Sequence, residues 1–306
     1  MYKYVNQALP DNRRPTVMLL GATGHLGQTL KATQPNFMNG LLHCPNSKTV
    51  NLTQQVSIER AIGFLARRHQ LAIVINAAAY TQVEGAEQNA ELAYAVNVLG
   101  SRYLAKACAQ ARIPLIHFST DYVFDGRQQT PYQESDRANP LNIYGRTKYL
   151  AEKEVKQYCA QHWIFRVSWL HGQYGANFAN QMIRLAKNRI QENQPISMVQ
   201  DQMGSPTDTK RLAQCIWYLV EHYLTYGQQT TLPSWGLYHL TTSWPCSRLD
   251  YAKSIFKAAY QQRVLPKMPQ IKPIQMQDFP AIAKRPKYSA LRCHSWFAPK
   301  LMPATI

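Results

Sequence analysis

Short apolar runs alternate with longer segments of helical periodicity over the first half of the chain. The runs that predict strands cover residues 16–20, 49–52, 71–78, 114–119 and 163–169. Between them, apolar side chains recur at helical spacing and predict helices that begin near residue 26 and cover residues 57–69, 87–110 and 144–158. Continuous apolar strands are typical of a parallel sheet that helices cover on both faces. Beyond residue 170 the alternation becomes less regular, and Pro and Trp are more frequent.

A glycine-rich segment follows the first predicted strand directly. Gly21, Gly24 and Gly27 form the pattern G-x-x-G-x-x-G, and a predicted helix begins within it. In a dinucleotide site the first glycine allows a tight turn, the second lets the backbone approach a pyrophosphate, and the third lets the helix lie close to the strand. The pattern also fits an ordinary turn between strand and helix. Its place at the first strand of an alternating fold predicts nucleotide binding.

Small side chains close the predicted strand at residues 71–78. They follow Asn76 as Ala77, Ala78 and Ala79. Ligands in open α/β sheets bind beyond the carboxyl ends of the strands, where small side chains leave room for them. The segment taken alone also fits the end of a core strand. Next to the glycine loop it predicts contact with a cofactor.

A hydroxyl, a phenol and an ammonium group follow in an order that suits carbonyl reduction. Thr120 lies at a predicted strand end, and Tyr144 and Lys148 are four residues apart on one helix face. An ordinary phenol has a pKa of about 10, and a nearby ammonium group would lower it. Tyr144 could then donate a proton to a carbonyl oxygen that Thr120 orients, while hydride reaches the carbon. A Tyr–Lys pair taken alone more often marks a solvated helix face.

These patterns predict an α/β fold: a Rossmann-like doubly wound parallel sheet with a smaller mixed α/β substrate-binding region. Residues 1–15 read as a polar, basic extension. Residues 16–165 are predicted to form the NAD(P)-binding domain. Residues 166–306 are predicted to form mainly the substrate-binding region, partly interleaved with the first domain.

Composition and charge narrow the classes of protein. The 306 residues, 45% of them hydrophobic, can form a large core, and 34 Lys and Arg against 17 Asp and Glu give a net charge of +17. That charge favours anionic partners such as nucleotides or phosphorylated sugars. The sequence shows no aromatic-basic nucleic-acid motif, no apolar run long enough for a membrane span and no secretory signal. Six scattered cysteines suggest neither disulfides nor a metal site, and reduced thiols indicate a cytoplasmic protein.

Longer stretches of sequence carry a resemblance to a known family. They read VINAAAYTQVEGAEQNAELAYAVN, STDYVFDG, NPLNIYGRTK, FRVSWLHG, NFANQMIRLA, DQMGSPT and AKRPKYSALRC. From about residue 16 to residue 301 the chain resembles the dTDP-4-dehydrorhamnose reductases, a family of the extended short-chain dehydrogenase/reductase superfamily. The resemblance implies reduction of the 4-keto group of a dTDP-6-deoxy-hexulose to dTDP-L-rhamnose, with NADPH or NADH as cofactor. It places the protein in the biosynthesis of cell-surface polysaccharide such as lipopolysaccharide O-antigen, and it allows a homodimer.

The resemblance also implies a role for individual residues. Tyr144 would be the proton donor, Lys148 would hold the nicotinamide ribose and tune Tyr144, and Thr120 would complete the catalytic set. The expected substrate contacts are Thr120, Asp121, Tyr144, Trp169 and Arg285. The expected cofactor contacts are Gly21, Gly24, His25, Leu26, Gly27, Asn51, Leu52, Ala77, Ala78, Ala79, Asn97, Tyr144 and Lys148. No metal ligand is expected.

Several of these residues also fit a simpler reading. Trp169 taken alone is more often a core residue, and Arg285 is more often a solvated charge. His25 fits a spacer whose backbone matters, and Asp121 fits a turn cap.

The sequence departs from the family pattern at a few positions. Asn51 stands where the family often has an Asp near the adenine, and Glu84-Gly85 replaces an Asp followed by a larger residue. No acidic residue is placed for a ribose 2′-hydroxyl, while Lys48 and the nearby Arg13 and Arg14 are possible partners of a 2′-phosphate. The sequence therefore leaves NAD and NADP both open.

Two other functions remain as alternatives. One is a non-catalytic NAD(P)-binding regulatory subunit that resembles the β subunit of methionine adenosyltransferase. The other is a different nucleotide-sugar reductase, an epimerase or a dehydratase. A dehydratase would usually place acidic residues beside the triad Thr; Asp121 is there, but Tyr122 follows it.

Overall fold

A six-stranded parallel sheet forms the centre of the computed structural model, which describes residues 15–228, 231–242 and 244–301. The predicted extension therefore lies outside the described residues except for Pro15, and so do Arg13 and Arg14. The strand order is β2-β1-β3-β4-β5-β10, and every pair is parallel. The strands of this sheet are β1 (Thr16–Leu20), β2 (Leu42–His43), β3 (Leu71–Asn76), β4 (Leu115–Thr120), β5 (His162–Val167) and β10 (Gly236–His239).

Ten α-helices surround this sheet and extend beyond it in the described part of the chain. They are α1 (His25–Ala32), α2 (Gln55–Arg68), α3 (Val83–Gln88), α4 (Ala90–Tyr94), α5 (Gly100–Ala111), α6 (Ile143–Tyr158), α7 (Phe178–Gln191), α8 (Thr209–Tyr226), α9 (Arg248–Gln261) and α10 (Ala298–Leu301). Short strand pairs lie outside the main sheet. They join β6 (Leu170–His171) to β9 (Thr207–Asp208), β7 (Ile196–Val199) to β12 (Ile271–Ile274), and β8 (Met203–Gly204) to β11 (Cys246–Ser247).

Both faces of the sheet are covered, because successive strand residues point to opposite sides and nearly all are apolar. On one face Leu19 and Trp163 are buried with Trp217 of α8. On the other face Met18 and Val74 are buried in the cluster that α2 and α5 complete. These two layers confirm the predicted α/β fold with a doubly wound parallel sheet.

The C-terminal half contributes to the sheet and also builds a separate apolar cluster. Strand β10 pairs with β5 along its whole length, so residues 236–239 form one edge of the sheet. A third cluster lies between α7, β7 and α9, with Ala186, Ile196 and Phe256 at its centre. No helix in the described part of the chain is long and apolar enough to cross a membrane.

Three predicted elements are wrong in detail. Residues 49–52 form turns rather than a strand, and the strand beside β1 is the two-residue β2. The helix predicted over residues 87–110 is divided: α3 ends at Gln88, and residues 95–99 form a π-helical turn between α4 and α5. The strand predicted over residues 163–169 ends at Val167, because Trp169 takes a left-handed φ of +45°.

Candidate active site

The glycine loop turns sharply between β1 and α1 at the carboxyl edge of the sheet. Gly21 has a φ of +77°, and a Cβ atom there would collide with the backbone of Ala77 and Ala78. A Cβ atom on Gly27 would overlap the main-chain oxygen of Gly21. A Cβ atom on Gly24 would meet only that oxygen, at 3.3 Å, so the space above this exposed residue is open. The loop therefore forms a backbone cradle of the kind that a pyrophosphate needs.

The carboxyl end of β3 is fixed by two buried asparagines. The Asn76 side chain accepts a hydrogen bond from the backbone N–H of Ala78 at 3.1 Å. Asn97, in the π-helical turn, accepts from the N–H of Tyr80 at 2.8 Å and donates to its carbonyl at 3.1 Å. It also donates to the Thr147 hydroxyl on α6 at 3.0 Å. Asn97 therefore ties the strand end that carries Ala77, Ala78 and Ala79 to the helix that carries Tyr144.

Thr120 and Tyr144 come together at the end of β4. Tyr144 lies in the first turn of α6, whose N-cap is Asn142, and its phenol lies close enough to the Thr120 hydroxyl for that hydroxyl to affect its pKa. Burial raises the pKa of the Tyr144 phenol; the Thr120 hydroxyl opposes the shift, and the charge of Asp121 adds to it. The phenol therefore keeps its proton at neutral pH, as a proton donor must.

Lys148 follows Tyr144 by one helical turn on α6. Its ammonium group is buried and donates to the main-chain oxygen of Phe118 at 2.6 Å. Burial lowers the pKa of Lys148 to about 8, although the charge of Glu152 favours the ammonium form. The predicted net lowering of the Tyr144 pKa is wrong, because burial of the phenol dominates, while the tuning role of Lys148 stays a prediction.

A buried carboxylate lies one helical turn beyond Lys148. Glu152 accepts from the Ser119 hydroxyl at 2.6 Å and forms a two-bond ion pair with Arg166, at 2.8 and 2.7 Å. An Arg166 Nη atom lies 3.3 Å from the His239 ring on β10. The network links β4, β5, β10 and α6 directly behind the catalytic candidates. Sequence reasoning missed it, although the four-residue spacing from Lys148 to Glu152 places both side chains on one face of a helix.

Asp121 is buried next to Thr120. Its carboxyl group accepts from Thr120 at 3.1 Å and from Ser289 at 2.6 Å. Burial raises the pKa of Asp121 to about 6, and hydrogen bonds from Ser289 and Thr120 limit the rise. Ser289 arrives from the distant segment AKRPKYSALRC, and nothing in its local sequence pointed to this contact.

Two arginine side chains lie within electrostatic range of Tyr122, beyond the carboxyl end of β4, in the region that we call the crevice. Arg285 forms an ion pair with Glu84 at 2.6 Å. Arg248, which sequence reasoning missed, stacks on Trp169 with 3.5 Å from its Cζ atom to the ring centroid. Trp169 is therefore half-buried rather than the core residue of its simpler reading. Arg285 is paired with a carboxylate, so the simpler reading as a solvated charge does not describe it.

Three predicted cofactor residues are engaged away from the catalytic candidates. The Asn51 side-chain oxygen accepts from the backbone and hydroxyl of Thr53, and Leu52 is buried against Gly100 of α5. A cavity of about 710 Å³ opens beside this turn and is lined partly by Val50 and Phe64. His25 packs against residues 172 and 175, where burial and the nearby His171 lower its pKa. Leu26, by contrast, is buried in the core beneath the glycine loop.

In residues 15–228, 231–242 and 244–301, no group of three or more His, Cys, Asp and Glu side chains could hold a metal ion. All six cysteines are free thiols.

Comparisons with known proteins agree with this geometry. A family model described as the RmlD substrate binding domain matches residues 15–304. A dTDP-4-dehydrorhamnose reductase of Salmonella typhimurium is 33% identical over 90% of this chain and 88% of its own. One from Aggregatibacter actinomycetemcomitans is 40% identical over 72% of each chain. A crystal structure of a dTDP-4-dehydrorhamnose reductase from Bacillus anthracis in complex with NADP superposes with a TM-score of 0.79, at 32% identity, over 92% of this chain and 91% of that one.

Proposed function

Because the chain belongs to the family of dTDP-4-dehydrorhamnose reductases, we propose that it uses NADPH to reduce the 4-keto group of a dTDP-6-deoxy-hexulose, giving dTDP-L-rhamnose. It is an NAD(P)-dependent oxidoreductase with a nucleotide sugar as substrate. A relative of known structure carries NADP, and the glycine loop here leaves open the space that a Cβ atom on Gly24 would enter. The residues present therefore fit this cofactor, which supplies the hydride.

One observation carries the assignment of the catalytic residues: the Thr120 hydroxyl lies close enough to the Tyr144 phenol, at the carboxyl edge of the sheet, to affect the pKa of the phenol. Both side chains there can reach one carbonyl oxygen. The Tyr144 O–H donates the proton that the oxygen needs as the keto carbon becomes an alcohol carbon. Thr120 holds the oxygen in place by a hydrogen bond, and this steadies the charge that develops on it.

Lys148 has two tasks in this proposal. Its ammonium group, held by the main-chain oxygen of Phe118, would donate to the hydroxyls of the nicotinamide ribose. With a pKa of about 8, it is mostly charged at neutral pH and stabilises negative charge that develops as Tyr144 gives up its proton. The ion pair between Glu152 and Arg166 fixes the part of α6 one turn beyond Lys148.

Asp121, Trp169 and Arg285 are proposed to contact the substrate. Trp169 offers an aromatic face and a buried indole N–H that has no hydrogen-bond partner among the described residues. Such an N–H suits a sugar hydroxyl or a phosphate oxygen, since a buried donor without an acceptor costs free energy. We also propose a cytoplasmic location, which free thiols throughout the chain favour.

Tyr144→Phe tests the assigned proton donor. We expect it to lower kcat for reduction of the 4-keto sugar by about 100-fold or more, because the proton source is removed. NADPH affinity, measured by fluorescence titration, should stay within about threefold because the variant keeps the ring. Tyr149→Phe, one turn later on the same helix, is the matched control and should keep full activity. Normal turnover by Tyr144→Phe would show that another group gives the proton.

A direct assay tests the function itself. NADPH oxidation is followed with the dTDP-4-keto sugar, and with its UDP and GDP analogues in parallel. Oxidation with none of the three would contradict the assignment as a reductase and favour a regulatory NAD(P)-binding protein. Equal rates with all three would leave the reductase in place and remove the preference for dTDP.

A further inference from the structure

Arg248 is a cation that the fold holds in the crevice without a carboxylate partner. It is the first residue of α9, directly after the N-cap Ser247. Among the residues that the structure describes, no Asp or Glu lies within ion-pair distance of it. Its one side-chain hydrogen bond there is a long one, from Nε to the Gln202 side-chain oxygen at 3.4 Å. The two Nη groups at the tip of the side chain are therefore left to find an acceptor elsewhere.

Two aromatic rings hold the guanidinium group in place. Its Cζ atom lies 3.5 Å from the centroid of the Trp169 ring and 4.6 Å from that of Phe178. Contact with aromatic rings restricts the orientation of a planar guanidinium, while its N–H donors remain able to bind an acceptor. A flexible surface arginine would first lose side-chain entropy on binding a ligand, but this one is already ordered.

The charges around Arg248 favour an anionic ligand at the N–H groups of its guanidinium. It lies within electrostatic range of Asp121 and Tyr122 and also of the like-charged Arg285. Burial and the charge of Arg285 both lower the pKa of Arg248, whereas Tyr122 and Asp121 raise it. Two guanidinium groups close together in a partly buried crevice repel each other, and an anion between them would remove that cost.

Arg248 and Arg285 differ in whether a carboxylate already pairs with them. Arg285 is paired with Glu84 at 2.6 Å, and Glu84 also accepts from the backbone N–H groups of Ile282 and Ala283. This arrangement anchors the segment that carries Arg285. Arg248 has no such pair among the described residues. It is therefore the arginine of this crevice that gains more from binding an anionic ligand.

We propose that Arg248 binds the diphosphate of the nucleotide-sugar substrate, with its planar edge donating to phosphate oxygens while Trp169 and Phe178 hold it. The inference rests on the proposed function, which supplies the substrate class. It assigns to α9 a binding residue that neither the motifs nor the resemblance indicated. A guanidinium suits this task because its fork of donors matches two phosphate oxygens at once.

The test separates the diphosphate from the rest of the substrate. Binding of dTDP, dTMP and thymidine is measured by titration calorimetry for the unaltered protein, for Arg248→Met and for Arg248→Lys. The control is Lys253→Met, which removes one charge from the exposed side of the same helix. For Arg248→Met we expect affinity for dTDP to fall by about tenfold or more, affinity for thymidine to change less than about twofold, and NADPH binding to be unchanged. Arg248→Lys should keep part of the dTDP affinity, and Lys253→Met all of it.

The outcomes are distinguishable. Equal losses for dTDP and thymidine would show that Arg248 only supports the shape of the crevice, and would overturn the proposal. Unchanged dTDP affinity in Arg248→Met would overturn it too, and if keto-sugar reduction persists, the proposed function survives. If the unaltered protein binds no nucleoside diphosphate and reduces no nucleotide sugar, the proposed function fails, and this inference fails with it.

Discussion

A buried carboxyl group lies among the hydroxyls that surround the proposed reaction centre. Asp121 is 3% exposed, and its oxygens accept from Thr120 and Ser289. These hydroxyls only partly replace the water that the carboxylate would have in the unfolded chain. The folded protein therefore holds this group in an environment that favours its neutral form. Such a cost is common at sites built for binding rather than for stability.

We predict that Asp121→Asn makes the free energy of unfolding less dependent on pH. The pKa of Asp121 is about 6 in the folded protein, against an ordinary value of 3.8. Between these values the folded state binds more protons than the unfolded state, so stability is full below pH 3.8 and is lost as the pH rises through about 6. Asn does not ionise. As the pH rises from acidic to neutral, the free energy of unfolding of the variant should therefore increase by up to about 3 kcal/mol relative to that of the parent.

Urea denaturation at a series of pH values measures this difference. Asp125→Asn is the control of opposite sign: burial alone would raise the pKa of Asp125, but hydrogen bonds from Asn139, Arg127 and Tyr132 outweigh it and lower the value. The Asp125 carboxylate stabilises the fold at neutral pH and loses that effect in acid. The Asp125→Asn variant should therefore be less stable than the parent near neutral pH. Parallel pH curves for the parent and Asp121→Asn would contradict the account.

At the scale of residues, sequence spacing indicated which residues belong to the site, but it did not predict their protonation states. The four-residue interval between Tyr144 and Lys148 placed both near Thr120 from the sequence alone. The direction of the Tyr144 pKa shift could not be predicted, because it depends mainly on burial, which only the folded chain produces. Arg248 could not be found either, since only the folded chain brings α9 against Trp169.

At the scale of elements, the glycines of the loop divide into those that shape it and one that leaves it open. Gly24 has ordinary backbone angles, with φ −77° and ψ 171°. Gly21 needs its positive φ, and Gly27 touches the backbone of Gly21. Substitution at Gly24 should therefore affect the ligand, whereas substitution at Gly27 should affect the fold.

We predict that Gly24→Val abolishes NADPH binding while the protein stays folded, because the side chain enters the space of the phosphates. Gly27→Ala should instead destabilise the protein by about 2 kcal/mol or more, because the methyl group must push the Gly21 backbone aside. Fluorescence titration with NADPH and urea denaturation are measured on both variants. An unchanged NADPH titration for Gly24→Val would argue against the cradle, and unchanged stability of Gly27→Ala would argue against the close contact.

The predicted elements were right where a periodic pattern ran unbroken and wrong where tertiary contacts decide. Strands β1 and β3 and helix α6 follow from apolar runs and helical spacing in the local sequence. Residues 49–52 have enough apolar side chains to predict a strand. In the structure Val50 and Leu52 are buried in the core, but the backbone of this segment forms turns. The π-helical turn is held by the bonds of Asn97 to Tyr80 and Thr147, and those partners lie far away in sequence.

At the scale of the molecule, the sheet depends on both halves of the chain. Trp163 on β5 is fully buried, and its ring centroid lies 4.1 Å from that of Trp235. Phe165 meets the rings of Tyr238 and Phe297. The indole of Trp217 donates to the carbonyl of Leu30 at 3.0 Å and so attaches α8 to α1. The parallel sheet of the alternating half was predictable from sequence, but the return of the chain as β10 was not, because four residues carry too little pattern.

We predict that a fragment of residues 1–169 does not fold on its own, although it contains the glycine loop and the catalytic candidates. It would expose Trp163, Phe165 and the face of α1 that α8 covers, and each large apolar side chain exposed costs about 2–3 kcal/mol. A few such losses match the total stability of a typical domain, about 5–15 kcal/mol. Near-ultraviolet circular dichroism should show no fixed aromatic environment, and NADPH titration no binding. Co-expression with residues 170–306 is the control, because it restores β10 and α8. A cooperative urea transition of the fragment alone would instead show that the first half is an independent domain.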